Sequence, residues 1–377
     1  MKILSIETSC DETSAAVVEK VDDYSVNVLS NITATSLAIH ATTGGIIPEN
    51  AAREQVKFII PVIVEALVMS DNSEYSEDLI IRQSEKSDNQ IHRSSEFSEK
   101  ANQILKEKID AIAITYGPGL IGSLLVGVET AKTLSFAFNK PLIPVNHLLA
   151  HLFANFITNS EKRTAKLQYP FIGLIVSGGH TDLLLFKSLT NYKWLGGTRD
   201  DAAGEALDKI GRILNLSYPA GPEIERRANQ FQILNTKPQI RFTSPLLNSK
   251  DLDFSFSGLK AEASRFIASK NLTKELTNEI CYALQKAIFD VLIKKTIQAA
   301  QKYDCSTILL GGGVSANQTL LEEFHRKTKN EMLNFNIFAP ERKYSTDNGA
   351  MIGAYAALNP EFKKWKEVNS QPDLYFS

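Results

Sequence analysis

Phe171-Ile172-Gly173-Leu174-Ile175-Val176-Ser177-Gly178-Gly179-His180-Thr181-Asp182-Leu183-Leu184-Leu185-Phe186 reads as two apolar strands joined through a tight glycine turn. The start of the chain has the same grammar. Lys2–Glu7, Ala15–Glu19 and Val26–Thr33 are short apolar runs separated by polar turns. After each opening, helices and strands alternate. In the first half a helix of about Glu49–Met69 follows Pro48, and Ile109–Thr115 is a continuous apolar run suited to a parallel strand buried on both faces. Helix Gly122–Phe138, strand Leu142–Val145 and a helix from His147 come next. In the second half helices dominate after the turn, the longest from about Lys274 to Lys302. Strand Thr307–Leu310, a helix from Ser315, strand Asn336–Ala339 and helix Thr346–Ala357 close the chain. Each half reads β-turn-β and then alternating α and β. That pattern predicts an α/β protein of two similar lobes with a binding cleft between them. The boundaries fall at 1–158 for the N-terminal lobe and 159–377 for the C-terminal lobe, with a helical insertion at about 202–302. Ser70 to Lys100 is crowded with Ser, Glu, Asp, Asn and Lys, and reads as a mobile surface insertion.

The totals narrow the function classes. The chain has 377 residues, enough for two ordinary cores. Forty-one basic residues face forty-three acidic ones, so no global field draws the protein onto nucleic acid, and an RNA partner needs a local patch or a second protein. Three cysteines, Cys10, Cys281 and Cys305, lie far apart without a Cys-x-x-Cys pair, which predicts free thiols in a reducing compartment. Met1–Ile6 meets Glu7 almost at once, so no signal peptide is expected. Ala111–Val128 is uncharged and long enough to suggest a membrane span. Tyr116-Gly117-Pro118-Gly119 breaks it, and Glu129 and Lys132 follow, so strand, turn and helix is the better reading. A cytoplasmic protein with no membrane partner is expected.

His147-Leu148-Leu149-Ala150-His151 puts two imidazoles one helical turn apart, within reach of one metal ion; two unrelated histidines would look the same. Leu148 stands where a peptidase helix of the His-Glu-x-x-His type carries its general base. Asp347, in Ser345-Thr346-Asp347-Asn348-Gly349, is a candidate carboxylate ligand or an ordinary helix N-cap. Ser177-Gly178-Gly179-His180 exposes backbone N–H groups suited to a phosphate, or is a plain hairpin turn. Gly311-Gly312-Gly313-Val314-Ser315 follows a strand and opens a helix, as an anion site does, but lacks the lysine of a Walker A loop. Asp200-Asp201 can cap a helix, whereas Asp208 lies a turn deeper and is free to meet a ribose hydroxyl or solvent. Asp11 and Glu12 are acids of the first hairpin. Phe254 and Phe256 suit base stacking or core packing, the latter being the commoner use.

The segments together resemble the TsaD family, bacterial relatives of the archaeal and eukaryotic Kae-type proteins. The resemblance runs through Ile6–Thr13, Gly44–Glu49, Gly117–Leu120, the His147/His151 pair, Val176–Thr181, Asp200–Glu205, Asp253–Lys260, Gly312–Asn317 and Thr346–Met351. It implies an actin-like ATPase (ribonuclease H-like) fold. It also implies transfer of threonylcarbamoyl from threonylcarbamoyl-AMP to N6 of adenosine 37, in tRNAs reading codons that begin with A. By resemblance, His147, His151 and Asp347 hold one divalent metal ion, Fe2+ or alternatively Zn2+. Ile175, Val176, Ser177, Gly178 and Gly179 hold the donor, with further contacts at Asp208, Gly221, Glu225 and Asn317. Asp11 and Glu12 are the candidate catalytic acids. A structurally related partner subunit and a small ATPase are the expected helpers. The chain departs from the family at Leu148-Leu149-Ala150, where bacterial relatives often carry Met-Glu-Gly, at Ala220 for a usual glycine, and at Glu225 for a frequent aspartate. The readings set against this one are a metal-dependent glycoprotein endopeptidase, a nucleotide-binding scaffold without transferase activity, and a small-molecule carbamoyltransferase.

Overall fold

The computed structural model describes residues 1–36, 46–71, 79–81, 90–158, 167–234 and 237–376. The chain divides into two compact units, Met1–Lys166 with Arg342–Ser377, and Leu167–Glu341.

The first unit is built on a six-stranded sheet. Strands β1 (Lys2–Glu7), β2 (Glu12–Lys20), β3 (Val26–Thr35), β4 (Leu79–Ile81), β5 (Ala111–Gly117) and β6 (Leu142–Asn146) lie in the order β4-β3-β2-β1-β5-β6. The first three pair antiparallel, and β1, β5 and β6 pair parallel. The continuous apolar runs of β1 and β5 follow from this: both strands are interior and buried on both faces. Helix α1 (Pro48–Met69) starts on its proline and buries Ala51, Gln55, Ile59, Val62, Ile63 and Ala66, a stripe at helical spacing that packs against β2 and β3. Helix α2 (Gln90–Glu107) packs on α1, and α3 (Ile121–Phe138) buries Leu124, Gly127, Val128 and Ala131. Helix α4 (His147–Phe153) follows β6 without a gap. The supposed insertion at 70–100 contains strand β4 and the start of α2; residues 72–78 and 82–89 lie outside the described residues.

The second unit carries five strands, β7 (Phe171–Val176), β8 (Thr181–Phe186), β9 (Tyr192–Gly197), β10 (Thr307–Gly311) and β11 (Asn336–Phe338), in the order β11-β10-β7-β8-β9. Three antiparallel strands again precede two parallel additions. The strand order β3-β2-β1-β5-β6 thus recurs as β9-β8-β7-β10-β11, the duplication that the pattern of apolar runs predicts. Between β9 and β10 lie helices α5 (Ala203–Ile213), α6 (Gly221–Ile233), α7 (Ser257–Ala268) and α8 (Lys274–Lys302), and α9 (Gln318–Asn330) follows β10. Phe254 and Phe256 are fully buried core residues, not a stacking platform. Asp200 and Asp201 do not cap α5, whose N-cap position is Ala202. Asp201 instead pairs with Lys209 at 2.6 Å. The Asp200 carboxylate accepts bonds from Phe256 N (2.7 Å), Ser257 N (3.2 Å), Ser255 Oγ (2.5 Å) and Ser257 Oγ (2.7 Å), fastening the start of α7.

One boundary is corrected. Residues 342–377, placed with the C-terminal lobe by sequence order, belong to the first unit. After α10 (Arg342–Ser345), helix α11 (Gly349–Leu358) lies flat on β1 and β2. A Cβ on Gly349 would stand 2.7 Å from Ala16 N, and one on Gly353 2.6 Å from Val18 Cγ2, so only glycine permits this approach. Polar groups of the sheet complete the seat: Ser5 Oγ donates to Gly349 O at 2.7 Å, Ser14 Oγ accepts from Gly349 N at 2.8 Å, and Asn31 Oδ1 accepts from Ala350 N at 3.1 Å.

Candidate metal centre and donor loops

The seat of α11 delivers Asp347 to the histidine pair. Asn146, the last residue of β6, caps α4 by accepting from Leu148 N (2.9 Å) and Leu149 N (3.3 Å), which fixes His147 as the first helical residue. His151 follows one turn later, its ring centroid 4.7 Å from that of His147. Asp347 Oδ1 lies 3.5 Å from His147 Nε2 and 3.3 Å from His151 Nε2, and the three ligand atoms fall within 4.8 Å of one another. Asp347 is not the cap of α11. That role belongs to Asn348, whose Oδ1 accepts from Met351 N at 2.9 Å.

The surroundings fit a divalent cation. His151 is 1 % exposed, and neither of its ring nitrogens has a hydrogen-bond partner, an arrangement that costs about 1–3 kcal/mol unless a ligand fills it. His147 has the opposite arrangement: its Nδ1 lies 3.2 Å from Glu7 Oε2 and 3.2 Å from Ser9 Oγ. Glu7 is itself held by Ser9 N at 2.6 Å and by Thr115 Oγ1. A proton kept on Nδ1 by Glu7 leaves Nε2 as the ligating atom, the carboxylate–histidine support common behind metal ligands. Burial pushes the His147 imidazolium down, but Glu7 and Asp347 outweigh it and raise its pKa to about 9. Two imidazoles and a carboxylate suit Fe2+ or Zn2+. Glu7→Gln should keep the fold and lower metal affinity about 10–100-fold. Titration of the metal-free protein with Fe2+ or Zn2+ checks this.

The two candidate catalytic acids border this centre. Gln55, fully buried on α1, donates through Nε2 to the carbonyls of Thr8 (3.4 Å), Cys10 (3.1 Å) and Glu12 (2.9 Å), holding the 8–12 turn in shape. Glu12 Oε1 accepts from Thr35 Oγ1 at 3.1 Å, while its Oε2 is buried without a hydrogen-bond partner. Burial, then the charges of Asp11 and Asp347, raise Glu12 to about 8. Asp11 is half-buried, and its carbonyl accepts from Ser36 Oγ at 2.7 Å. Burial and the neighbouring Asp11 and Asp347 push the Cys10 thiol well above the usual range, which disfavours the thiolate.

In the second unit the glycine loops converge at the carboxyl ends of β7 and β10. Ile175 and Val176 are core residues, so only their backbone can face a ligand. Ser177 N donates to His180 O at 2.9 Å and Ser177 Oγ accepts from His180 N at 3.1 Å, closing the turn. A Cβ on Gly178 or Gly179 would meet nothing within 4 Å. Gly312 and Gly204 are the reverse. Gly312 has φ +91° and its added Cβ would lie 2.4 Å from Val176 O; that of Gly204 would lie 2.5 Å from Ser177 O. Asp208 Oδ1 accepts from Ala220 N at 2.7 Å, beside Gly221; burial raises its pKa, opposed by the backbone donors Ala220 and Gly221 and by Arg212. Glu225 and Asn317 meet at the start of α9: Glu225 Oε1 accepts from Gln318 N at 2.8 Å, and Asn317 Oδ1 accepts from Leu320 N at 3.3 Å. Asn317 Nδ2 donates to Gln285 Oε1 at 2.9 Å. Glu7, Ser9, Gln55 and Gln285 carry roles that sequence reasoning did not assign. Glu7 and Ser9 stand inside the Ile6–Thr13 motif, and only the buried glutamines gave no signal.

Comparison with known proteins identifies the family of the chain. A model of the family described as "TsaD: tRNA N6-adenosine threonylcarbamoyltransferase" matches residues 83–354. The chain is 39% identical over 379 residues to the tRNA N6-adenosine threonylcarbamoyltransferase of Persephonella marina, covering all of this chain and 94% of that one. It is 41% identical over 378 residues to the protein of that name from Sulfurihydrogenibium sp., again covering 100% and 94%. Among solved structures, T. kodakarensis HypF superposes with a TM-score of 0.50 at 16% identity, covering 70% of this chain and 43% of that one, a likeness of fold. The chain belongs to the tRNA N6-adenosine threonylcarbamoyltransferase family.

Proposed function

We propose that the protein transfers threonylcarbamoyl from threonylcarbamoyl-AMP to N6 of adenosine 37, in tRNAs reading codons that begin with A, and releases AMP. One divalent metal ion, Fe2+ or alternatively Zn2+, would be held by His147, His151 and Asp347. The observation that carries this reading is the buried, unpartnered His151 beside Asp347 and the Glu7-supported His147, within a chain related over its full length to enzymes of that name. A cytoplasmic location, a related partner subunit and a small ATPase complete the reading.

In the reaction the N6 amine attacks the carbamoyl carbon, the bond from that carbon to the AMP phosphate oxygen breaks, and the amine loses a proton. A metal held by His147, His151 and Asp347 would supply charge neutralisation. The exposed backbone at Gly178 and Gly179 offers close approach to a phosphate. Asp208, Glu225 and Asn317 order the backbone of residues 220 and 317–320 around that loop's unit. Glu12, with a value of about 8, is able to hold or release a proton near neutral pH. Fixed position and preorganised dipoles provide the remaining acceleration.

The test is a transfer assay: purified protein, helper proteins, metal, threonylcarbamoyl-AMP and unmodified tRNA, followed by nucleoside mass spectrometry. Threonylcarbamoyladenosine is the expected product. Its absence, with verified active helpers and folded protein, overturns the reading.

A further inference from the structure

We propose that the corner formed by the 237–241 segment, α7 and the α7–α8 turn of the second unit is the surface that grips the tRNA phosphate backbone. The proposal rests on the transferase reading above and adds a place for the RNA.

The net charge of −2 conceals an uneven distribution. Residues 1–100 carry eight basic and seventeen acidic side chains, a composition that does not favour a polyanion. Residues 237–274 carry seven basic and three acidic ones, and exposed Glu275 follows directly. All three acids are engaged within the unit. Asp251 meets Lys295 Nζ at 3.3 Å and Arg199 at 3.4 Å, Asp253 meets Arg199 Nε at 2.9 Å, and Glu262 accepts from Thr243 N at 3.1 Å. Among the described residues none of the seven cations lies within ion-pair distance of an acid, and Lys274 interacts electrostatically with its neighbour Glu275. Elsewhere, by contrast, cations such as Arg53, Lys132, Arg226 and Arg326 are neutralised by acids three or four residues away.

Five of the seven, Lys237, Arg241, Arg265, Lys270 and Lys274, are exposed and share one corner. Gln239 N and Ile240 N are tied to Glu279 of α8, and Thr243 N to Glu262 of α7, so the segment carrying Lys237 and Arg241 lies along both helices. The rings of Phe242 and Phe266 pack edge to face at 5.8 Å, and Lys270 Nζ sits 5.6 Å over Phe266. Exposed cations that lie in no ion pair are what phosphate contacts need, since each phosphate they neutralise releases a counterion from the nucleic acid.

The corner is also coupled to the donor loop. Asp200 clamps residues 255–257 at the start of α7, and four residues on Gly204 presses against Ser177 and Gly178. At about 1.5 Å per residue, Arg265 stands roughly 12 Å along α7 from that clamp. Phosphates gripped there would be held at a fixed distance from the donor loop of the same unit.

The test compares wild type with Arg241→Glu/Arg265→Glu/Lys270→Glu and with the corresponding triple alanine variant, in the presence of the helper proteins. Urea melts confirm folding. The expected result is a KM for tRNA raised at least 10-fold and a KM for threonylcarbamoyl-AMP unchanged. The slope of log affinity against log salt should fall by about 0.7–0.9 for each phosphate that the variant no longer neutralises. Folded variants with unchanged tRNA KM and salt slope overturn the surface while leaving the transferase reading intact. Variants that fail to bind the helper proteins but keep the tRNA salt slope assign the corner to a protein partner and also overturn it. A wild type that binds tRNA but yields no modified nucleoside counts against the transferase reading instead.

Discussion

Asp347→Ala is expected to abolish metal binding and to lower threonylcarbamoyl transfer by at least about 100-fold, the equivalent of roughly 3 kcal/mol of transition-state stabilisation. The same substitution should leave the fold almost untouched. Asp347 looks like a helix cap in the sequence, and removing a cap would cost about 1 kcal/mol. Here Asn348 caps α11, while Ser5, Ser14 and Asn31 hold the first residues of that helix to the sheet. The helix therefore does not depend on Asp347 for its cap. His151→Ala should release metal equally and is expected to unfold no more easily than wild type in metal-free buffer, because it removes two buried, unsatisfied nitrogens. Metal content by elemental analysis, paired with urea melts and the transfer assay, separates these effects. Full metal content in both variants would remove the triad.

The sequence revealed much of the fold because apolar runs report burial directly. β1, β5 and β7 are interior strands, and their continuous Ile, Leu, Val and Ala content says so without any tertiary information. The duplicated order was legible for the same reason: each half opens with antiparallel strands joined by short turns, then needs helices to cross between parallel ones. The return of α11 to the first unit was not legible. Gly349 and Gly353 are flat because they face β1 and β2, and nothing local distinguishes that from glycine in a helix packed anywhere else. That the two histidines share a face could be read from spacing, since residues four apart on a helix always do. Joining Asp347 to them needed either the three-dimensional fold or the family resemblance. The supporting residues were invisible for a physical reason: Glu7, Gln55 and Gln285 act through contacts 140, 43 and 32 residues away, and sequence patterns carry no such distances.

The glycines of the second unit's candidate donor loops divide into two kinds, and substitution should separate them. Gly312→Ala is expected to destabilise the second unit by about 2–5 kcal/mol, combining the strain of a left-handed residue with overpacking. The new Cβ would lie 2.4 Å from Val176 O and 2.7 Å from Val176 C, both backbone atoms with no rotamer to change. Nor can the strands part to admit it, because Gly311 and Ile175 stand in register at the ends of adjacent parallel strands. Gly179→Ala has neither penalty: no atom lies within 4 Å of its Cβ. It should melt within about 0.5 kcal/mol of wild type, as exposed substitutions do. Its defect should fall on the donor, because a methyl group on the exposed turn fills the space that a phosphate needs to reach the backbone N–H groups. The KM for threonylcarbamoyl-AMP is expected to rise at least 10-fold with the tRNA KM unchanged. A Gly312→Ala protein with a wild-type urea midpoint would show that the two strand ends yield more readily than their contacts imply. A Gly179→Ala protein with wild-type donor KM would move the phosphate away from this turn.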